Sequence, residues 1–191
     1  MPQMLEQTVE QLTRQVASRF FGKYRGTVTD VSDPDNNGRI KAQVPAVMGE
    51  TEIGWALPAF PFAGDGHGLV MLPEVGSMVW IEFEAGNLDF PIWSGGFFLP
   101  GQRPAPDGHG ARVVVSRNQH QVLLDDDADE VIVKHSAGPE IKMTATAITL
   151  TCGACVIEIG LTAISLNNGI IKVGPAGVSL VNGAMSFGVP P

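Results

Sequence analysis

The sequence predicts an all-β fold: an N-terminal helix, a small barrel, and a C-terminal needle of very short stacked strands. Three observations carry this expectation. The last fifty residues repeat one word, apolar–spacer–apolar, at Ile141/Met143, Ile148/Leu150, Ile157/Ile159, Ile164/Leu166, Ile171/Val173, Val178/Leu180 and Met185/Phe187. The starts fall seven residues apart, except for one gap of nine that holds Gly153, Ala154 and Cys155. Residues 22–100 hold about five apolar stretches between turn signals, as small all-β domains do. Finally, 23 Gly and 14 Pro supply the many turns that short strands need.

Each word of the repeat is too short to bury its apolar face alone, so regular stacking into a β-helix or solenoid is the expected solution. A coiled coil also beats at seven, but its apolar pairs stand three and four apart. Here they stand two apart, with Thr, Ser, Lys or Glu as common spacers and Gly or Asn in several connections. That is strand alternation.

The elements follow in order. Residues 1–21 form the first segment, with a helix over 3–20 whose apolar stripe is Leu5, Val9, Leu12, Val16 and Phe20. Gly22 is its stop. The stripe must cover either the following domain or a neighbouring chain. Residues 22–100 read as a compact all-β domain. Tyr24 to Val31 is a strand, Asp33-Pro34-Asp35-Asn36-Asn37-Gly38 a dense turn, and Arg39 to Val44 the returning strand. Ile53 to Leu57 and Leu69 to Leu72 read as short strands. Ser77 to Glu84 follows, with Met78, Trp80 and Glu82 on one side and Val79, Ile81 and Phe83 on the other. Apolar groups on both sides point to a strand covered on both faces, a subunit contact being one means. Asn87 and Asp89 turn the chain into the stretch from Pro91 to Phe98. Strands of this number and spacing fit a Greek-key barrel of the OB type. Residues 101–112 read as a Pro- and Gly-rich linker. Residues 113–191 form the needle, opening with strands at Val113 to Ser116, Gln121 to Leu124 and Val131 to Lys134.

Composition narrows the function classes. Apolar residues make up 44% of the 191, enough for a real core. The formal charge is -8, from 12 Lys+Arg against 20 Asp+Glu. Phosphate-binding surfaces depend on clustered Lys and Arg, so a nucleic-acid partner is not expected. No stretch has the basic start, apolar core and small-residue cleavage site of a secretory signal. No apolar run approaches the roughly 18 residues of a membrane helix. The expectation is a protein made in the cytoplasm and soluble there. Cys152 and Cys155 form a C-x-x-C at a strand junction, not at a helix start where the dipole lowers a thiol pKa. They read as two small buried residues, and two thiolates fall short of the four ligands of a structural zinc.

The barrel segment resembles the N-terminal OB domain of phage tail-spike and baseplate assembly V proteins and of VgrG-type spikes of contractile injection systems. The residues that carry the resemblance are Tyr24-Arg25-Gly26-Thr27-Val28, Asp33-Pro34-Asp35, Gly38-Arg39-Ile40, Val44-Pro45, Trp55-Ala56 and Gly64 to Gly68. The strongest run is Leu72-Pro73-Glu74-Val75-Gly76-Ser77-Met78-Val79-Trp80-Ile81-Glu82-Phe83, followed by Gly86-Asn87, Pro91-Ile92 and Gly95-Gly96. The resemblance implies a homotrimer whose barrels sit at the baseplate centre and whose tail is an intertwined trimeric β-helix needle. It also implies baseplate hub and inner tube proteins as partners, a PAAR-type tip protein, transient contact with the target membrane, and assembly into a phage virion tail or an injection particle. Physical argument agrees. Strands this short cannot close a hollow coil within one chain, whereas three intertwined chains can, and closure removes the sheet edges that invite aggregation. At about 4.8 Å per strand layer the rod would be of order 40 Å long. Its core would be Ile141, Met143, Ile148, Leu150, Ile157, Ile159, Ile164, Leu166, Ile171, Val173, Val178, Leu180, Met185 and Phe187.

Several motifs mimic chemistry. Asp33 to Gly38 matches the start of an EF-hand loop, but the twelfth position, where a bidentate Glu belongs, is Val44. It reads as a hairpin turn. Some needles of this kind carry an iron-binding His-x-His at the tip. His67, His109, His120 and His135 do not form that pattern, so no metal and no cofactor are expected. The end is Phe187-Gly188-Val189-Pro190-Pro191. Two readings of it stand: an apolar platform that contacts a tip protein, or an end that frays. The acids Asp125, Asp126, Asp127, Asp129 and Glu130 read as a solvated turn, and Ser116 and Ser165 lack a nucleophile-elbow context. No catalytic residue is assigned and no enzyme is expected. Pro100 to Asp107 joins barrel to needle directly, without the lysozyme domain that one larger relative carries, and only the helix precedes the barrel. The rival reading is an OB-fold module binding oligosaccharide or single-stranded nucleic acid, with an oligomerising tail. Such modules use basic grooves and aromatic platforms, whereas Trp80, Phe83, Trp93 and Phe97 lie in patterns that read as buried.

Overall fold

The computed structural model describes residues 2–106, 108–181 and 185–188. The chain divides into two compact units, Met1–Gln102 and Arg103–Pro191.

The first unit opens with α1 (Pro2–Ala17). The expected helix runs to residue 20, but the observed one stops three residues earlier. Beyond it the Phe20 N–H bonds the Gly86 carbonyl at 2.9 Å, and the Phe20 ring packs edge-on against Tyr24 and Phe83. Barrel contacts outcompete helix continuation here. The approach is close: a Cβ on Gly86, whose φ is +75°, would lie 3.0 Å from the Arg19 Cβ.

Next come β1 (Tyr24–Asp30), β2 (Lys41–Gln43), the short helix α2 (Pro45–Met48), β3 (Leu57–Pro58), β4 (Ala63–Gly64), β5 (His67–Gly68), β6 (Met78–Phe83) and β7 (Pro91–Gly96). Five of these strands form one sheet in the order β2-β1-β6-β7-β3. The strand expected over Ile53 to Leu57 is mostly reduced to bridges, Ile40 with Ala56 and Gln43 with Glu52. Ile40 and Ala56 exchange both backbone hydrogen bonds, at 3.2 and 2.8 Å, and the Ile53 N–H bonds Ala42 O. These contacts tie the segment leading into β3 back onto β2 and so join the two edges of the sheet.

No strand forms at Leu69 to Leu72. The Leu69 N–H bonds the Phe62 carbonyl at 3.2 Å, just past the β4–β5 pair, and Val70, Met71 and Leu72 are exposed. Apolar composition signals burial or contact, not pairing, and Pro73 removes a donor next to it.

Alternation builds the barrel core. Val79, Ile81 and Phe83 of β6 point inward with Val28, Ile40, Ala42, Val44, Ile53, Ala56 and Trp93. Gly26 lets β1 approach: a Cβ there would meet Ile81 Cγ1 at 2.9 Å and the Gln43 carbonyl at 3.3 Å. Trp93 donates from Nε1 to the Gly38 carbonyl at 3.1 Å and meets Phe60 edge-on. The 33–38 turn is held by one carboxylate. Asp33 accepts N–H bonds from Asp35, Asn37 and Arg39 and a forked bond from the Arg39 guanidinium. The guanidinium, with those amides, holds the Asp33 carboxyl far below the usual carboxylate range.

The second unit is one antiparallel meander of ten strands, each paired with its sequence neighbours. These are β8 (Ala111–Val115), β9 (Gln121–Asp125), β10 (Glu130–Lys134), β11 (Glu140–Met143), β12 (Ala147–Cys152), β13 (Cys155–Gly160), β14 (Ile164–Leu166), β15 (Ile171–Gly174), β16 (Gly177–Leu180) and β17 (Met185–Gly188). The beat of seven has a simple origin. Each word spans three residues and each connection four, so strand and turn repeat together. The gap of nine is not an inserted loop. β12 and β13 are each longer, and Cys152 faces Cys155 across a tight turn at Gly153-Ala154. Asn167 extends the ladder beyond β14: its N–H bonds Val156 O at 2.8 Å and its side-chain Oδ1 accepts from the Val156 N–H at 2.9 Å.

Candidate functional site

The feature that stands out is one face of the ten-stranded sheet. Residues directly opposite in an antiparallel ladder share a face, so register assigns every side chain. One column runs Val133, Ile141, Leu150, Ile157, Leu166, Ile171, Leu180, Met185. The second runs Val131, Met143, Ile148, Ile159, Ile164, Val173, Val178, Phe187. All fourteen residues expected in the needle core therefore lie on one face, in two continuous columns. In the single chain that face is open: Ile141, Ile148, Ile157, Ile159, Ile164 and Val173 are each about two-fifths exposed, and Phe187 more so. The opposite face is polar. It carries Lys142, Thr149, Glu158, Ser165, Lys172 and Ser179 in register, with a Lys142–Glu130 ion pair at 2.5 Å.

Reasoning from the beat missed the start of this face. Val131 and Val133 pair with Leu124 and Val122, and Val122 pairs with Val114, so both columns continue toward β8. The signal was present as two-apart apolar words, but their spacing breaks the rhythm of seven. Here the other face is apolar as well: Leu123 is buried, and Gln121 on its side of β9 donates to the Ala105 carbonyl at 3.4 Å.

Other expectations resolve as follows. Cys152 and Cys155 do sit on the apolar face, but both are exposed in the single chain, because no second layer lies over them. With Val133, Ile141, Leu150 and Ile157 they line an open groove of about 450 Å³. His120 and His135 stack at 4.3 Å near its margin. The acids after β9 form a turn. Asp125 Oδ1 accepts N–H bonds from Asp127 and Ala128 at 3.0 Å, and Asp126 pairs with Arg112. Ser116 Oγ accepts from the His120 N–H, and Ser165 lies on the polar face between Glu158 and Lys172. Among the described residues no group of three or more His, Cys, Asp or Glu is placed to hold a metal. Of the expected tip contact, Phe187 and Gly188 belong to β17, and Val189, Pro190 and Pro191 lie outside the described residues.

The barrel has a second surface. Phe83 and Trp93 are buried as expected, but Trp80 and Phe97 are only half-buried. They stack at 4.7 Å on the outer side of β6, with the Arg25 guanidinium 5.6 Å from the Phe97 ring centroid. Beside them Glu82 accepts from Lys23 and Ser94, and both contacts lower its pKa, Lys23 the more.

Two family models match the chain. One describes the OB domain of the type VI secretion system and phage-baseplate injector and matches residues 24–98. The other describes the phage baseplate V C-terminal trimerisation domain and matches residues 111–186. The chain belongs to the phage baseplate V family. No curated protein matches it. The first match takes in the barrel sheet from β1 to β7, and the second the meander from β8 into β17. The family is a structural one, and the protein is accordingly a structural baseplate or spike component that forms homotrimers.

Proposed function

We propose that this protein is the central spike of a contractile phage tail or contractile injection system, with residues 22–100 as the hub-side barrel, 101–112 as the linker and 113–191 as the needle. Three copies wrap their meanders about a common axis so that the fourteen ladder residues face inward and the Thr, Ser, Lys and Glu face meets water. The observation that carries this reading is the apolar face of two unbroken columns left open in the single chain. Monomeric proteins rarely expose a contiguous apolar patch of this extent.

The mechanism is mechanical. Sheath contraction drives the inner tube forward, and the needle concentrates that force on a small area of the target envelope. Stiffness comes from backbone hydrogen bonding in each layer and from close packing along the axis. Ten strand layers at about 4.8 Å make a rod of roughly 50 Å. The barrels adapt threefold symmetry to the baseplate hub and tube, with the half-buried Trp80 and Phe97 surface available for subunit contact. Phe187 to Pro191 from three copies form the seat of a PAAR-type tip protein. No catalytic residue and no cofactor enter this mechanism. The protein is made in the cytoplasm and assembled into a phage virion tail or an extracellular or cell-anchored injection particle.

The test is sedimentation equilibrium of the full chain at micromolar concentration. The expected species has three times the 20.2 kDa chain mass. A stable, folded single copy overturns the reading.

A further inference from the structure

The mechanism above leaves α1 unused. Its apolar residues stand four, three and four apart at Leu5, Val9, Leu12 and Val16. That is the a/d spacing of a coiled-coil seam, with Val at a and Leu at d. Val9 is 54% exposed, Leu12 55% and Val16 67%, so the barrel of the same chain does not cover these three. A helix of 16 residues is marginal in water by itself, so it gains from a partner surface.

We infer that the α1 helices of three copies pack on one another as a short parallel coiled coil. Three features select a second copy as the occupant. A threefold axis makes equivalent helices run in the same direction, as this seam requires. At the flanking positions Thr8 and Thr13 would face each other between copies, with no charge to repel, while the Glu10–Arg14 pair sits on the outer b and f positions. The helix exit is fixed by the Phe20–Gly86 bond and by the Arg19 guanidinium, which donates to the Ala85 carbonyl at 3.3 Å. Val at a with Leu at d favours two strands when a helix associates alone. Three strands are imposed here by the C-terminal trimerisation domain, which raises the effective concentration of the helices to about the millimolar range. The inference rests on the trimeric reading.

The experiment uses the full chain with Cys152→Ala and Cys155→Ala, carrying either Leu12→Cys at a d position or Arg14→Cys at an f position. Each protein is oxidised with copper phenanthroline, run on a non-reducing gel, and sedimented in parallel. Leu12→Cys is expected to give disulfide-linked pairs at least about fivefold more than Arg14→Cys, whose side chains would lie beyond disulfide reach. A trimer that cross-links equally at both positions, or at neither, overturns the coiled coil and leaves the spike standing. A monomer in the sedimentation run overturns the spike reading and the coiled coil with it. Leu12→Asp supplies a second readout: the helical signal at 222 nm should fall while the trimer persists. An undiminished signal refutes the inference.

Discussion

Replacing Ile164 with Asp puts the needle to its most direct test. Ile164 stands in the middle of the second column, paired with Ile159 on one side and Val173 on the other. It is 43% exposed in the single chain. Removing that remaining area from water, at about 25 cal/mol per Å², is worth roughly 2 kcal/mol per copy. Three copies stack at one level, so the substitution forfeits about 6 kcal/mol before the new charges are counted. An aspartate held in a dry core adds several kcal/mol per ion, since no basic residue in the neighbouring ladder positions can pair with it. The sum exceeds the roughly 5–15 kcal/mol that holds a domain together. Sedimentation equilibrium should therefore find no Ile164→Asp trimer. The control is Ser165→Asp, one residue along on the polar face between Glu158 and Lys172, which should remain trimeric. A soluble, fully trimeric Ile164→Asp protein would show that the columns do not face the axis, and the reasoning would fail.

Other consequences concern the barrel and one needle turn. Asp33 has its folded-state pKa depressed, chiefly by Arg39, so its contribution is present above the unfolded carboxylate value of about 4 and is lost as pH falls below it. The wild-type unfolding midpoint should fall more steeply than that of Asp33→Asn as pH drops from about 4, and parallel slopes would count against this. Gly26→Ala should cost about 1–3 kcal/mol in urea unfolding, because the added methyl meets Ile81 and the Gln43 carbonyl in a barrel wall that cannot give way. Asn167→Ala removes the side-chain acceptor of the Val156 N–H and should lower needle stability by about 1 kcal/mol, with faster amide exchange at Val156 as the local signature.

The 33–38 segment and the terminal repeat were legible because their signals are local. Asp and Asn bond their own backbone within a few residues, so the turn needs no distant partner. Word and spacer alternate with the strand period, so the face of every residue from Ile141 onward can be read along the chain. The run at Leu69 to Leu72 misled for the same reason. Its unbroken apolar run is a strand signal, but pairing needs a free edge that only the assembled barrel could offer. The helix ran short because Phe20 had a better neighbour in Phe83, some sixty residues away in sequence.

From its sequence alone, then, the chain declares an all-β body, a rhythmic tail and a polar–apolar division within each short strand. Those are properties of neighbouring residues and of period two and period seven. Tertiary structure decided the register that aligns separate words into two continuous columns. It extended those columns through Val131, Leu124, Val122 and Val114, and it left Cys152, Cys155 and the Val9, Leu12 and Val16 side chains of α1 uncovered. The reason is that register and exposure depend on which segments meet across long stretches of chain, and no local period records that.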